Sequence, residues 1–158
     1  MATEPSIPAT SAGQMSLLDS TDRKIVEALR HDGRQSMRSL AQRLHISRAG
    51  VYARVERLER DGVITGYSAT IDPEKYGRPL SAYVNLKVAQ RSWQELGDRV
   101  LAIDDVDHAA LVSGDYDIVL LVRTRDVGTL RDLVLTRLQE MPEVLSTQTV
   151  LIFDELHP

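Results

Sequence analysis

Residues 36–62, SMRSLAQRLHISRAGVYARVERLERDG, carry six arginines against three carboxylates in a chain whose formal net charge is -4. The hydrophobic pattern of this stretch is helical. Ser36 can cap a helix in which Met37, Leu40, Ala41 and Leu44 recur at i, i+3, i+4 and i+7, one apolar stripe over two turns. Ser47 can cap the next, with Val51, Val55 and Leu58 on one side and Asp61-Gly62 at its end. The few residues around His45-Ile46 join the two with helix-turn-helix spacing, and helices this short survive only by packing. Upstream, Ser20 or Thr21 is expected to cap a further helix whose inward positions are Ile25, Val26 and Leu29, and which runs out at His31-Asp32-Gly33.

The helix after Ser47 is the informative one. At about 100° per residue, Arg48 and Tyr52 flank its apolar side in one direction and Arg54 and Arg57 in the other. Its outward surface carries Ala49, Gly50 and Ala53, small residues that let a backbone approach closely. A major groove admits such a helix between phosphate walls. Arg48 and Tyr52 are then candidates for base edges, with Ala49 between them; Ser47 both caps the helix and can meet a phosphate; Arg54 and Arg57 are expected on the DNA backbone. The competing reading is a solvated charged face, with Glu56 and Glu59 pairing locally with Arg60 and other arginines. Turn chemistry, caps and small central residues favour DNA.

From Leu18 to Gly77 the run LDSTDRKIVEALRHDGRQSMRSLAQRLHISRAGVYARVERLERDGVITGYSATIDPEKYG resembles the N-terminal half of an Lrp/AsnC-type, or feast/famine, transcriptional regulator. The blocks LDSTDRKIVEALRHDGR and ISRAGVYARVERLERDGVI and the following GY match that family in order and spacing. His45 is a departure, since the family usually places Gly in this turn. Histidine tolerates positive φ better than most residues, so an intact, slightly strained turn is expected.

Beyond Asp72-Pro73 the pattern changes to strand and helix. In LSAYVNLKV, Leu80, Ala82, Val84, Leu86 and Val88 alternate with polar neighbours, the period of a half-buried strand. SWQELGDRVLAI reads as a helix with Trp93, Leu96, Val100 and Ile103 inward. HAALVSGDYDIVLLVRT gives two strands broken at Ser113–Tyr116, RDVGTLRDLVLTRLQEM a second helix ending before Pro142, and VLSTQTVLIF a last strand. The order β-α-β-β-α-β is that of a ferredoxin-like domain, making the chain α+β: an N-terminal helix-turn-helix, plain or winged, joined to a ferredoxin-like unit. Val119, Leu121, Val150 and Ile152, or their alternates, would leave apolar area on the uncovered sheet face, which face-to-face dimerisation would bury.

Charge divides the same way. Leu17 to Thr70 holds ten Lys/Arg and seven Asp/Glu, and Ile71 to Pro158 nine and fifteen, as for two units with different partners. The expected organisation is a disordered Pro/Ser/Thr/Ala-rich tail over residues 1–15, a DNA-binding domain over 16–65, a hinge over 66–79 and a sensing and oligomerisation domain over 80–158. With no cysteines there is no disulfide framework or thiolate metal site. The absence of a long apolar run or a signal-like N-terminus leads to the expectation of a cytoplasmic protein, associated with the nucleoid when on DNA, with no membrane partner.

The second half resembles the amino-acid-sensing RAM domain of the same family, most distinctively at LVSGDYDIVLLVRTRD. The resemblance implies an amino-acid effector held between subunits, no other cofactor and no metal, and assembly as a homodimer or as tetramers or octamers of dimers. Its candidate residues are Gly114, Asp115, Tyr116 and Asp117, with His108, Thr147 and Thr149. Gly114 would let a carboxylate approach backbone N–H groups, Asp115 or Asp117 would pair an ammonium, and Tyr116 would wall the side-chain end. The alternative is a tight turn closed by Asp115, with Tyr116 at an interface. An enzyme would have to be built from His108, Ser113, Asp115 and Asp117, but nothing in their spacing ensures a nucleophile, a base and an oxyanion site, so catalysis is not expected. A sensing module that regulates a protein partner without binding DNA is the remaining alternative; it would bind nucleic acid weakly and with little salt dependence.

Overall fold

Asp19, rather than Ser20 or Thr21, caps the first helix. In the computed structural model, which describes residues 18–89 and 93–155 (side chains of residues 93 and 94 excepted), Asp19 Oδ1 accepts the Asp22 N–H at 2.7 Å and Asp22 Oδ2 accepts the Asp19 N–H at 3.2 Å. This is a reciprocal capping box: aspartate outcompetes a hydroxyl here because the residue three positions on is also acidic and closes the second bond. The tail expected over residues 1–15 and the inward position expected for Trp93 lie outside the described residues.

The chain divides into two units, Met1–Ala69 and Thr70–Pro158. In the first, α1 (Ser20–His31), α2 (Met37–Leu44) and α3 (Arg48–Arg60) pack around Ile25, Ala28, Leu29, Leu40, Ala41, Val51, Val55 and Leu58. Ser36 and Ser47 cap α2 and α3 through Oγ, accepting the N–H groups of Ser39 at 3.1 Å and Gly50 at 3.0 Å. Between these helices His45 sits at φ 55, ψ 40, the sole non-glycine with positive φ among the described residues. Gln35 returns its amide to the Ala28 carbonyl at 2.7 Å, supplying a partner at the C-terminal end of α1.

The second unit is a four-stranded antiparallel sheet in the order β2-β3-β1-β4, from β1 (Leu80–Val88), β2 (Val106–Leu111), β3 (Ile118–Thr124) and β4 (Val144–Ile152). Helix α4 (Trp93–Leu101) follows β1, and α5 (Val127–Asp132), capped by Asp126, continues into π-helical turns over Leu133–Leu138. The alternation in β1 holds: Ala82, Val84 and Leu86 are fully buried with Leu120 and Val122 of β3, under Leu96, Val100, Leu130, Leu133 and Leu138. The opposite face pairs Tyr83 with Leu121 and Val150, and Asn85 with Val119 and Gln148. Tyr83 and Val150 are exposed there and Leu121 and Val119 only half-buried, so an apolar patch faces away from the helices.

Candidate nucleic-acid interface and effector site

Helix α3 presents the residues expected to meet DNA on two very different footings. Arg48 and Tyr52 lie in its first turns, exposed, with no hydrogen bond or ion pair among the described residues, and Ala49 and Ala53 beside them are exposed. A Cβ on Gly50 would stand 3.1 Å from Ser47 Oγ, so glycine lets the cap close tightly. Ser47 Oγ is engaged as that cap, but the residue remains on the surface.

Arg54 and Arg57 are instead drawn back onto α1. Arg54 Nη1 lies 2.6 Å from Asp19 Oδ2 and 2.6 Å from Asp22 Oδ1, and Arg57 Nη2 lies 2.6 Å from Asp22 Oδ2. Desolvation pushes the Asp22 carboxyl up, but hydrogen bonds from Arg54, the Asp19 N–H and Arg57 outweigh it and hold it below the usual carboxylate range. Both arginines, expected from sequence on DNA phosphates, are occupied by carboxylates in this structure, because their side of α3 faces the acidic start of α1. The signal was available in D-x-x-D at residues 19–22, the spacing of a capping box whose carboxylates gather at one helix end. Glu59 likewise accepts the Tyr67 hydroxyl at 2.8 Å, and Arg60 reaches Asp61 at 3.6 Å, so neither makes the local pair considered from sequence. On α2, Arg38 and Arg43 are exposed and have no ion pair among the described residues; the pattern of α3 alone does not point to them.

In the second unit the candidate effector residues do not converge within one chain. The hairpin turn brings Gly114, Asp115, Tyr116 and Asp117 together, closed by Val112 N–H donating to the Asp117 carbonyl at 3.0 Å. Gly114 has φ 128 and open space where a Cβ would stand; Asp115 is exposed and Tyr116 half-buried. Asp117 is committed elsewhere, its Oδ2 accepting the Val88 N–H at 2.9 Å and its Oδ1 facing Lys87 Nζ at 3.2 Å. His108 is exposed on β2, opposite Leu121 and on the side of the sheet away from the helices. Thr147 and Thr149, opposite Leu86 and Val84, lie on the helix side of β4. Strands β2 and β4 are the two edges, three strand spacings or roughly 14 Å apart. Thr147 Oγ1 accepts a hydrogen bond from Gln139 Nε2 at 2.8 Å, and Thr149 lines a cleft of about 250 Å³ beside α5 with Val127, Leu130, Arg131, Val134 and Leu135. A larger cleft of about 510 Å³ between α4 and β2 is lined by Gly97, Asp98, Leu101, Ala109, Ala110, Leu111 and Ile118, none of them expected from sequence. Among the described residues no cluster of His, Asp and Glu has the arrangement of a metal site, and no helix is long and apolar enough to cross a membrane.

Comparison with known proteins gives the two units matching identities. Residues 18–65 match the winged helix-turn-helix DNA-binding family and residues 81–158 the Lrp/AsnC ligand binding domain. The leucine-responsive regulatory protein of Haemophilus influenzae is 32% identical over 142 residues, covering 88% of this chain and 86% of that one. The proline dehydrogenase transcriptional activator of Rhizobium radiobacter is 30% identical, covering 88% and 91%. Among solved structures, the feast or famine regulatory protein of M. tuberculosis complexed with L-methionine superposes with a TM-score of 0.82 at 36% identity, covering 89% of this chain and 95% of that one. AsnC of E. coli superposes with a TM-score of 0.78 at 25% identity, covering 88% and 94%.

Proposed function

This chain belongs to the Lrp/AsnC family of DNA-binding transcriptional regulators, and from that premise we propose that it reads a specific operator through Ser47, Arg48, Ala49 and Tyr52 and answers to an amino acid or related small metabolite. The observation that carries the DNA contact is the pairing state of α3: Arg48 and Tyr52 are exposed and uncommitted next to small residues, whereas Arg54 and Arg57 are held by α1. Arg38 and Arg43 add phosphate contacts from α2. Target genes in amino-acid metabolism or transport are part of the same proposal, supported by relatives such as the proline dehydrogenase transcriptional activator. The matched relatives are regulators of transcription rather than enzymes, and they disfavour a sensing module that leaves DNA alone.

The effector is proposed to sit against the hairpin turn, its carboxylate on backbone N–H groups near Gly114 and its ammonium on Asp115, since Asp117 already serves Val88 and Lys87. Tyr116 walls it. Participation of His108 together with Thr147 and Thr149 requires a second copy of the chain, because one sheet holds them on opposite edges. Assembly as a homodimer, and as tetramers or octamers of dimers, also meets the need for paired half-sites, one recognition helix reading only a few base pairs. The site of action is the cytoplasm, at the nucleoid.

The test is binding of the full chain to a fluorescent duplex of its own upstream region over a salt series, with and without a mixture of the common amino acids. Tight binding that weakens steeply with salt and shifts with the mixture is expected, the shift disappearing in Asp115→Ala. Absence of binding at low salt removes the DNA reader; binding with no shift removes the effector.

A further inference from the structure

Asp22 is a buried carboxylate with more partners than its place in the capping box of α1 requires. Its side chain is 2% exposed, yet it is charged and spans two arginines of α3, with Asp19 adding a second carboxylate to Arg54. The cap accounts for its bond to the Asp19 N–H but not for the two arginines, since buried ion networks of this kind are commonly neutral or worse than well-packed apolar groups. The arginines themselves are not walled off, their side chains being 33% and 36% exposed. They flank the face of α3 proposed above to meet DNA. The carboxylates are what holds them.

We propose that Asp22, seconded by Asp19, sets the sequence-independent DNA affinity of the recognition helix: it withholds Arg54 and Arg57 from DNA phosphates while holding α3 against α1. Phosphate contacts carry no sequence information, and each one taken adds to binding everywhere on the genome. A cation withheld from phosphate lowers affinity on every sequence alike, so it sets the salt-dependent, sequence-independent part of binding and leaves the ratio between operator and random DNA to the base contacts. With two cations spent internally, discrimination rests on Arg48 and Tyr52, and the sequence-independent affinity on the remaining unpaired arginines. This rests on the DNA-reading function proposed above.

The experiment compares the full-length wild type with Asp22→Asn, Asp19→Asn and the pair Arg54→Gln/Arg57→Gln, each titrated against a short random-sequence duplex by fluorescence anisotropy at several salt concentrations. Circular dichroism and urea midpoints identify any variant that has lost its fold. Asp22→Asn should bind the random duplex more tightly, with the slope of log affinity against log salt steeper by about 1–2, the contribution of one or two extra phosphates. Asp19→Asn, altering the exposed member, should move in the same direction by less. The arginine pair, with Asp22 intact, should keep the wild-type slope. A purely structural Asp22 would weaken binding without steepening the slope, and that result overturns the proposal. A slope lowered by about 1–2 in the arginine pair also overturns it, since the arginines would already be on phosphates; this arm decides even if Asp22→Asn does not fold. Wild type that fails to bind at low salt overturns the DNA-reading function itself and this inference with it, an outcome distinct from both.

Discussion

The carboxylate of Asp117, in the turn between β2 and β3, accepts the backbone N–H of Val88 at the end of β1 at 2.9 Å, and the Asp117 N–H donates to the Leu86 carbonyl at 2.9 Å. One residue thus clamps the hairpin to the neighbouring strand from both its main chain and its side chain. The hydrogen bond from Val88 N–H, opposed by desolvation and helped by Lys87, holds its carboxyl below the usual range.

Asp117→Ala should therefore destabilise the second unit by about 1 kcal/mol, the net worth of a hydrogen bond at a part-exposed site. A carboxyl whose folded pKa is depressed contributes fully above its unfolded value, near 3.9, and loses that contribution as pH falls through the folded pKa. Urea midpoints of wild type and variant should differ by a constant amount at neutral pH and converge in acid below that value. A gap that persists unchanged into strong acid would assign the effect to packing.

His45→Gly should raise the stability of the helix-turn-helix by about 1 kcal/mol, because φ 55 places a Cβ in the left-handed region and glycine has none. His45→Val should lower it by more, β-branching being the least tolerated there. Thermal melts followed by helical circular dichroism would report both signs; equal midpoints would mean the turn is unstrained.

Arg48→Ala should weaken binding to the specific operator by about 1–3 kcal/mol and leave the urea midpoint unchanged, since the side chain has no partner within the described residues. Loss of affinity equal on specific and random duplexes would move Arg48 from base edge to phosphate.

Val150→Glu, on the exposed sheet face opposite Tyr83, should dissociate the homodimer proposed above without unfolding the sheet. Sedimentation velocity would show the lighter species, and operator affinity should fall as paired half-sites are lost. An unchanged sedimentation coefficient would place the interface elsewhere.

The sequence by itself determined what local geometry controls. Leu40, Ala41, Val51, Val55 and Leu58 are read off a helical period, and Ala82, Val84 and Leu86 off a strand period, because backbone repeat alone decides which side a residue faces. Ser36 and Ser47 are legible as caps for the same reason: their bonds close within three residues. The turn at Ser113–Tyr116 is equally local. Tertiary structure decided where charge goes. Arg54 and Arg57 meet Asp22 across 32 and 35 residues of chain, and Asp117 reaches Val88 across 29, pairings fixed only when elements pack and bring one flank against another. It also set His108 and Thr149 on opposite edges of one sheet, since strand order is chosen by crossover connections and not by the alternation within any strand.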